Sequence, residues 1–219
     1  MSSKGVSIVL VHGAWADGSS WAKVVAPLAA QGLKVVAALP LTSFDDDVAA
    51  LDRALERVEG PIVLAGHAYA GAVIGATRSE KVKALVYVAA LAPDEGETVA
   101  DVFYRAEPHA EAPKLGPDEH GLIYLPDEAF AAAFAQNASA QELAVLQAVQ
   151  RPISPSCITV AVERPLWRGR PAWFLIAAET QHFMAARMKA RARSLPLDHT
   201  PMVTAPDAVV EIILEAERA

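Results

Sequence analysis

The chain has 219 residues, 53% of them hydrophobic, and a formal charge of −7 at pH 7. That is apolar material enough for one packed domain, the acidic balance argues against a nucleic-acid partner, and no apolar run approaches the ~18 residues of a membrane-crossing helix. A single cysteine, Cys157, excludes an internal disulfide and a cysteine-built metal centre; without a leader-like N-terminus, a reducing, cytoplasmic setting is expected.

Ser7-Ile8-Val9-Leu10-Val11 is a continuous apolar, β-branched run, as in a parallel strand buried on both faces. It passes through His12-Gly13-Ala14-Trp15 and a polar turn, Asp17-Gly18-Ser19-Ser20, into a helix over about 21–31 that Gly32 stops. A second strand, 34–38, ends before Pro40. Ser43 reads as an N-cap, and Asp45, Asp46 and Asp47 complement the dipole of the helix that follows. This role explains the acid run without a metal. Phe44, Val48, Leu51, Leu55 and Val58 give that helix its apolar stripe.

After Gly60-Pro61 comes the stretch that organises the chain. Ile62-Val63-Leu64-Ala65 is a strand, Gly66-His67-Ala68-Tyr69-Ala70-Gly71 a turn of small residues, and Ala72-Val73-Ile74-Gly75-Ala76 a helix start. Strand, tight turn and helix form the layout of a nucleophile elbow, G-x-S-x-G, with Ala68 where the serine belongs. A methyl group cannot attack a carbonyl. Another strand follows at 84–89, and the alternation predicts an α/β fold: a mostly parallel sheet of about six strands flanked by helices.

The alternation pauses over residues 94–165, a proline-dotted segment with a capping box at Ser139-Ala140-Gln141-Glu142. It is expected to form a small helical cap inserted in a core made of 1–93 and 166–219, the whole being a single domain. The βα pattern resumes with a strand at 172–177, a helix at 181–189, a last strand at 192–197, the loop Asp198-His199-Thr200 and a closing helix after Pro206.

Acyl-transfer chemistry needs a nucleophile, a base, a group that orients the base, and oxyanion donors. The backbone N–H groups of Ala14 and Tyr69 are placed to be the donors, and His199 stands where the base of a Ser…Asp…His order falls. The carboxylate is the weak point. Glu179 is the nearest candidate, although a Glu at a helix start more commonly caps it, and Asp94 is a second. His12 is read as fixing the oxyanion loop, Trp15 as lining the pocket mouth or the core, and His67 as packing or hydrogen-bonding locally. His182 is expected on a helix surface, and His109 and His120 in cap loops. No histidine spacing suggests zinc, and the basic patch of Arg164, Arg168 and Arg170 reads as a solvated face.

Val11-His12-Gly13-Ala14-Trp15, Asp17-Gly18-Ser19-Ser20-Trp21, the elbow Gly66 to Gly71, Tyr87-Val88-Ala89-Ala90-Leu91-Ala92-Pro93 and His199 together resemble the α/β-hydrolase family. The resemblance is to the compact bacterial relatives of plant methylesterases and hydroxynitrile lyases. That family's elbow normally reads Gly-His-Ser-Tyr-Gly-Gly, so Ala68 and Ala70 both depart from it. Its acid normally sits in a longer loop after the strand that ends here at Ala177. The resemblance implies a small ester or carbonyl compound as ligand and no cofactor or metal. It leaves open an enzyme working without a serine, a non-catalytic binder, or an inactive Ser-to-Ala form of an esterase. A second copy of the chain, as a homodimer, is the one macromolecular partner left open.

Overall fold

The computed structural model describes residues 5–105 and 113–219; His109 lies outside them. Six parallel strands form one sheet: β1 (Ser7–Val11), β2 (Leu33–Ala37), β3 (Ile62–His67), β4 (Val82–Val88), β5 (Ala172–Ile176) and β6 (Arg191–Ser194), in the order β2-β1-β3-β4-β5-β6. This is the expected mostly parallel α/β sheet.

Alternation along the strands divides the core in two. Ile8, Leu10, Val63 and Ala65 face one layer with Trp173, Leu175 and Ile212. Val9, Val11 and Leu64 face the other with Leu51, Val73 and Phe174. Helices α1 (Ala22–Ala29) and α9 (Pro206–Arg218) therefore cover one face, while α2 (Phe44–Glu56) and α3 (Ala70–Ala76) cover the other. From β1 the chain moves outward to β2, then back across to β3. The order thus reverses beside β1, and the carboxyl ends of β1 and β3 flank the crevice where open α/β sheets place ligands.

Local signals act as expected at several points. Ser43 accepts a hydrogen bond from the Asp46 N–H at the head of α2, Gly32 has a φ of 102°, and Ser139 and Glu142 close a capping box on α6 (Ala140–Val149). Between β4 and β5 lie α4 (Val99–Phe103), α5 (Asp127–Ala129), which runs into a π-turn at Phe130–Phe134, and α6. The segment is tied down by antiparallel bridges Thr98↔Ala161 and Ile123↔Ile153. The last strand stops at Ser194 instead of running to 197. Leu195 still donates to the Ile176 carbonyl at 3.2 Å, but Pro196 has no N–H with which to continue the ladder.

Candidate active site

β3 delivers the elbow. Ala68 has a φ of 49°, a conformation that an alanine adopts only where its surroundings impose it. They do so here on two sides. The Ala68 carbonyl accepts the N–H of Gly71 and of Leu91, each at 3.0 Å, and its own N–H donates to the Val88 carbonyl at 3.2 Å. The strained turn is therefore held by backbone hydrogen bonds with alanine at its centre.

The loop after β1 lies directly against it. A side chain at Gly13 would stand 2.9 Å from the His67 carbonyl and 3.0 Å from the Ala68 Cβ, so only glycine lets the two loops approach this closely. His12 holds that loop by both ring nitrogens: Nδ1 donates to the Gly13 carbonyl at 2.9 Å, and Nε2 accepts the Leu39 N–H at 3.0 Å. Burial lowers its pKa, which suits the neutral ring this arrangement needs. Trp15, at a φ of 54°, donates its backbone N–H to Arg151 O and its indole N–H to Ile123 O, joining the loop to the 94–165 segment. Among the described residues, no backbone acceptor is assigned to the N–H of Ala14 or of Tyr69.

Tyr69 is anchored at its other end. Its hydroxyl donates to Asp47 Oδ2 at 2.7 Å, Leu41 N–H donates to Asp47 Oδ1 at 2.7 Å, and the Cys157 thiol lies 3.6 Å from Asp47. The acid run is thus not uniform. Asp46 serves the helix start with Ser43 and Thr42, but Asp47 is fully buried and braces the elbow. Burial raises the Asp47 pKa and pushes the Cys157 thiol up to about 12, so Cys157 is an inert structural thiol.

His199 arrives on the loop between β6 and α8 (Pro201–Thr204). Its ring lies 5.0 Å from the His67 ring and 5.1 Å from that of Phe134, centroid to centroid. The residue is half-buried, and its loss of hydration pushes its pKa down to about 4, against a smaller opposing pull from Asp198. The imidazole is therefore neutral at physiological pH, as a base must be.

Glu179 does not reach it. Its side chain is 96% exposed in the short 3-10 turn Glu179–Gln181 just before α7 (His182–Arg187), 3.8 Å from His182 Nε2. With the connection after β5 so short, this carboxylate stays on the surface. Asp94 is also engaged elsewhere, 2.8 Å from Arg168 Nε; partial burial opposes ionisation, but the Arg168 hydrogen bond and charge hold the carboxyl below its ordinary range. Neither candidate acid is brought to His199, and among the described residues no carboxylate is hydrogen-bonded to its ring.

Three residues matter more than the sequence suggested. Asp198 is buried and accepts the N–H of Asn137 at 3.0 Å, the N–H of Thr200 at 3.0 Å and the Thr204 hydroxyl at 2.7 Å. The signal was Asp followed two residues later by Thr, the pattern of an Asx-type turn. Asp198→Ala leaves these donors without their acceptor and is expected to cost about 1–3 kcal/mol, read as a lower melting temperature. His67 bonds across 132 positions, not locally: its Nε2 lies 2.7 Å from the His199 carbonyl. Phe134, 4% exposed, stacks edge-on near Trp15, His67 and Phe130, and its ring lies against that of His199. Nothing in its Phe-Ala-Ala-Ala-Phe surroundings marks that role.

The model of the alpha/beta hydrolase family matches residues 8–212. The chain belongs to the α/β-hydrolase family. Its fold is similar to that of a pyrethroid hydrolase from Sphingobium faniae JZ-2, with 22% identity over 98% of each chain and a TM-score of 0.84. It is also similar to polyneuridine aldehyde esterase, with 19% identity over 97% of this chain and 99% of that one at a TM-score of 0.81. A third likeness is to a histidine-to-alanine variant of tomato methylketone synthase I complexed with β-ketoheptanoate, with 19% identity over 97% of each chain and a TM-score of 0.79. No curated protein matches. At these identities the likeness establishes the hydrolase fold of the chain; the chemistry has to come from its own residues.

Proposed function

We propose that the chain is an α/β-hydrolase-fold enzyme that works without a serine nucleophile on a small carbonyl compound. His199 moves a proton, and the N–H groups of Ala14 and Tyr69 receive the negative charge that develops on the carbonyl oxygen. The observation that carries this reading is His199 itself. It is kept neutral beside an elbow whose strained geometry persists around Ala68, and a pure binder has no need of a base there.

The reactions that fit break a bond next to a carbonyl and leave the electron pair on oxygen as an enolate or alkoxide. Loss of CO2 from a β-keto acid is one. The bond to the carboxyl carbon breaks, its pair passes to the ketone oxygen, and the α-carbon then takes up a proton that His199 relays from water, one ring nitrogen gaining a proton as the other gives one up, so that the ring is neutral before and after and the hydroxide left behind is taken up by CO2 as bicarbonate. β-Ketoheptanoate, bound by the tomato relative, is the first probe. Accelerated CO2 release over the buffer rate by this protein, lost on replacing His199, supports the reading. No acceleration of this compound or of activated aryl esters transfers the site to a non-catalytic binder. Phe134 lying over His199 favours that second reading.

An inactive form of an ordinary esterase fits less well, because among the described residues no carboxylate is hydrogen-bonded to the His199 ring. Ala68→Ser tests this directly. The variant is expected to hydrolyse activated aryl esters measurably but weakly, since a triad whose histidine is wrongly oriented loses about 10⁴ in turnover. A large gain to ordinary esterase rates would show that only the serine is missing.

A further inference from the structure

We propose that His67 is a positioning residue: it sets His199 against the elbow through a hydrogen bond to the backbone of the base, in a site where, among the described residues, no carboxylate orients the ring. The proposal rests on His199 being the working base. It is carried by three observations on one buried side chain. His67 Nε2 lies 2.7 Å from the His199 carbonyl. Since a carbonyl only accepts, Nε2 carries the proton and Nδ1 is a bare acceptor. That Nδ1 is fully enclosed and has no hydrogen-bond partner. A Cβ on Gly13 would lie 3.1 Å from it, so the oxyanion-side loop closes over this edge of the ring. The ring is therefore wedged between the Gly13 backbone and the His199 peptide.

This contact has a different reach from the others that hold the loop. Asp198 ties the loop to Asn137, Thr200 and Thr204, on its cap and helix sides. The bond from His67 comes from the residue adjoining Ala68 and ends on the peptide unit of His199. It therefore fixes the spacing between the elbow and the imidazole. The wedge works only while His67 is neutral, because a proton on Nδ1 would be a buried charge with no acceptor. Burial, with His199 and His12 as the nearby titratable groups, keeps it neutral. Around His199 itself, the facing titratable groups are His67 from the end of β3 and Asp198 in its own loop; Phe134 from the cap carries no charge.

The test is a histidine NMR titration of the full chain, which needs no substrate. In the wild type, His67 should show the Nε2–H tautomer with a slowly exchanging ring proton, and His199 should titrate near 4. In His67→Phe the loop is released and His199 gains water, so its pKa should rise by about one unit or more toward the ordinary value. His67→Gln, which keeps a side-chain N–H near the Nε2 position, should restore most of the low value. Where a substrate is turned over, His67→Phe should lower kcat with KM nearly unchanged, and His67→Gln should recover part of it. A wild-type His67 in the Nδ1–H tautomer overturns the proposal even if neither variant folds. So does a His199 pKa that ignores the Phe substitution, or one that Gln fails to restore. A shifted His199 pKa in a protein that turns over nothing would keep the positioning role and discard the catalytic reading of the site.

Discussion

His199→Ala is expected to lower turnover by about 10²–10⁴-fold, the usual contribution of a positioned acid or base, with little change in ligand affinity. The pH profile carries the sharper signature. A base must be neutral to accept a proton, and burial pushes the His199 pKa down to about 4. Activity that depends on proton acceptance should therefore rise through about pH 4 and stay level above pH 6, where an ordinary solvent-exposed histidine would still be titrating. If His199 instead delivers the proton in the slow step, from its protonated form, activity should fall as pH rises through about 4, the opposite sign. In either case the limb should vanish in His199→Ala. An acidic limb near 6.5 would mean that the imidazole is in water in the working state and that Phe134 has moved aside. A profile unchanged by the substitution would remove His199 from the mechanism and leave the site as a receptor. Rate and limb position together separate a catalytic histidine from a merely structural one, which would change Tm and leave the limb in place.

The fold was readable because each strand carries its own signal. Runs such as Ile8 to Val11 and Leu85 to Val88 are apolar on both sides, a pattern suited to a parallel strand covered on both faces. The elbow was readable for a different reason: Gly13, Gly66 and Gly71 stand where backbones touch, and close approach selects glycine locally. The wiring of the site was less visible. Asp47 sits in a run of three aspartates, and its neighbour Asp46 does serve the helix start. Only the return of Tyr69 and Cys157 from distant parts of the chain makes Asp47 a brace instead. The bond of His67 to His199 spans 132 positions, and no local pattern encodes such a pairing. Glu179 illustrates the converse. Its position after β5 suggested an acid, but a connection this short cannot carry a carboxylate from the surface to the loop after β6, and the side chain stays in solvent.

Two glycines of α3 offer the largest predicted contrast in stability. Gly71→Ala should be strongly destabilising. A Cβ there would lie 2.3 Å from the Leu91 carbonyl oxygen, 2.8 Å from the Ala90 Cβ and 3.1 Å from the Leu91 N. The Leu91 contacts are backbone atoms, which no rotamer change can move away. The chain there is also fixed: Leu91 donates to the Ala68 carbonyl and Ala89 is held at a φ of 46°. Overpacking a core commonly costs about 1–3 kcal/mol, and a backbone wall puts this site at or above the top of that range. For a chain of this size about 3 kcal/mol lowers Tm by roughly 6–12 °C, and the strain falls on the turn that presents Ala68. Gly75→Ala, one turn further along the same helix, should do the opposite. Its Cβ would meet only the Tyr87 Oη at 3.5 Å and the Trp167 Cδ1 at 3.9 Å, both ordinary contacts. Replacing a helical glycine by alanine then gains about 0.5–1 kcal/mol. Thermal melts of the two variants beside the wild type decide the matter. If Gly71→Ala melts like the wild type, the elbow helix and the strand-end loop at Leu91 are not packed backbone to backbone, and the rigid cradle inferred for Ala68 is wrong. If both substitutions destabilise alike, the cost lies in helix formation and not in the contact.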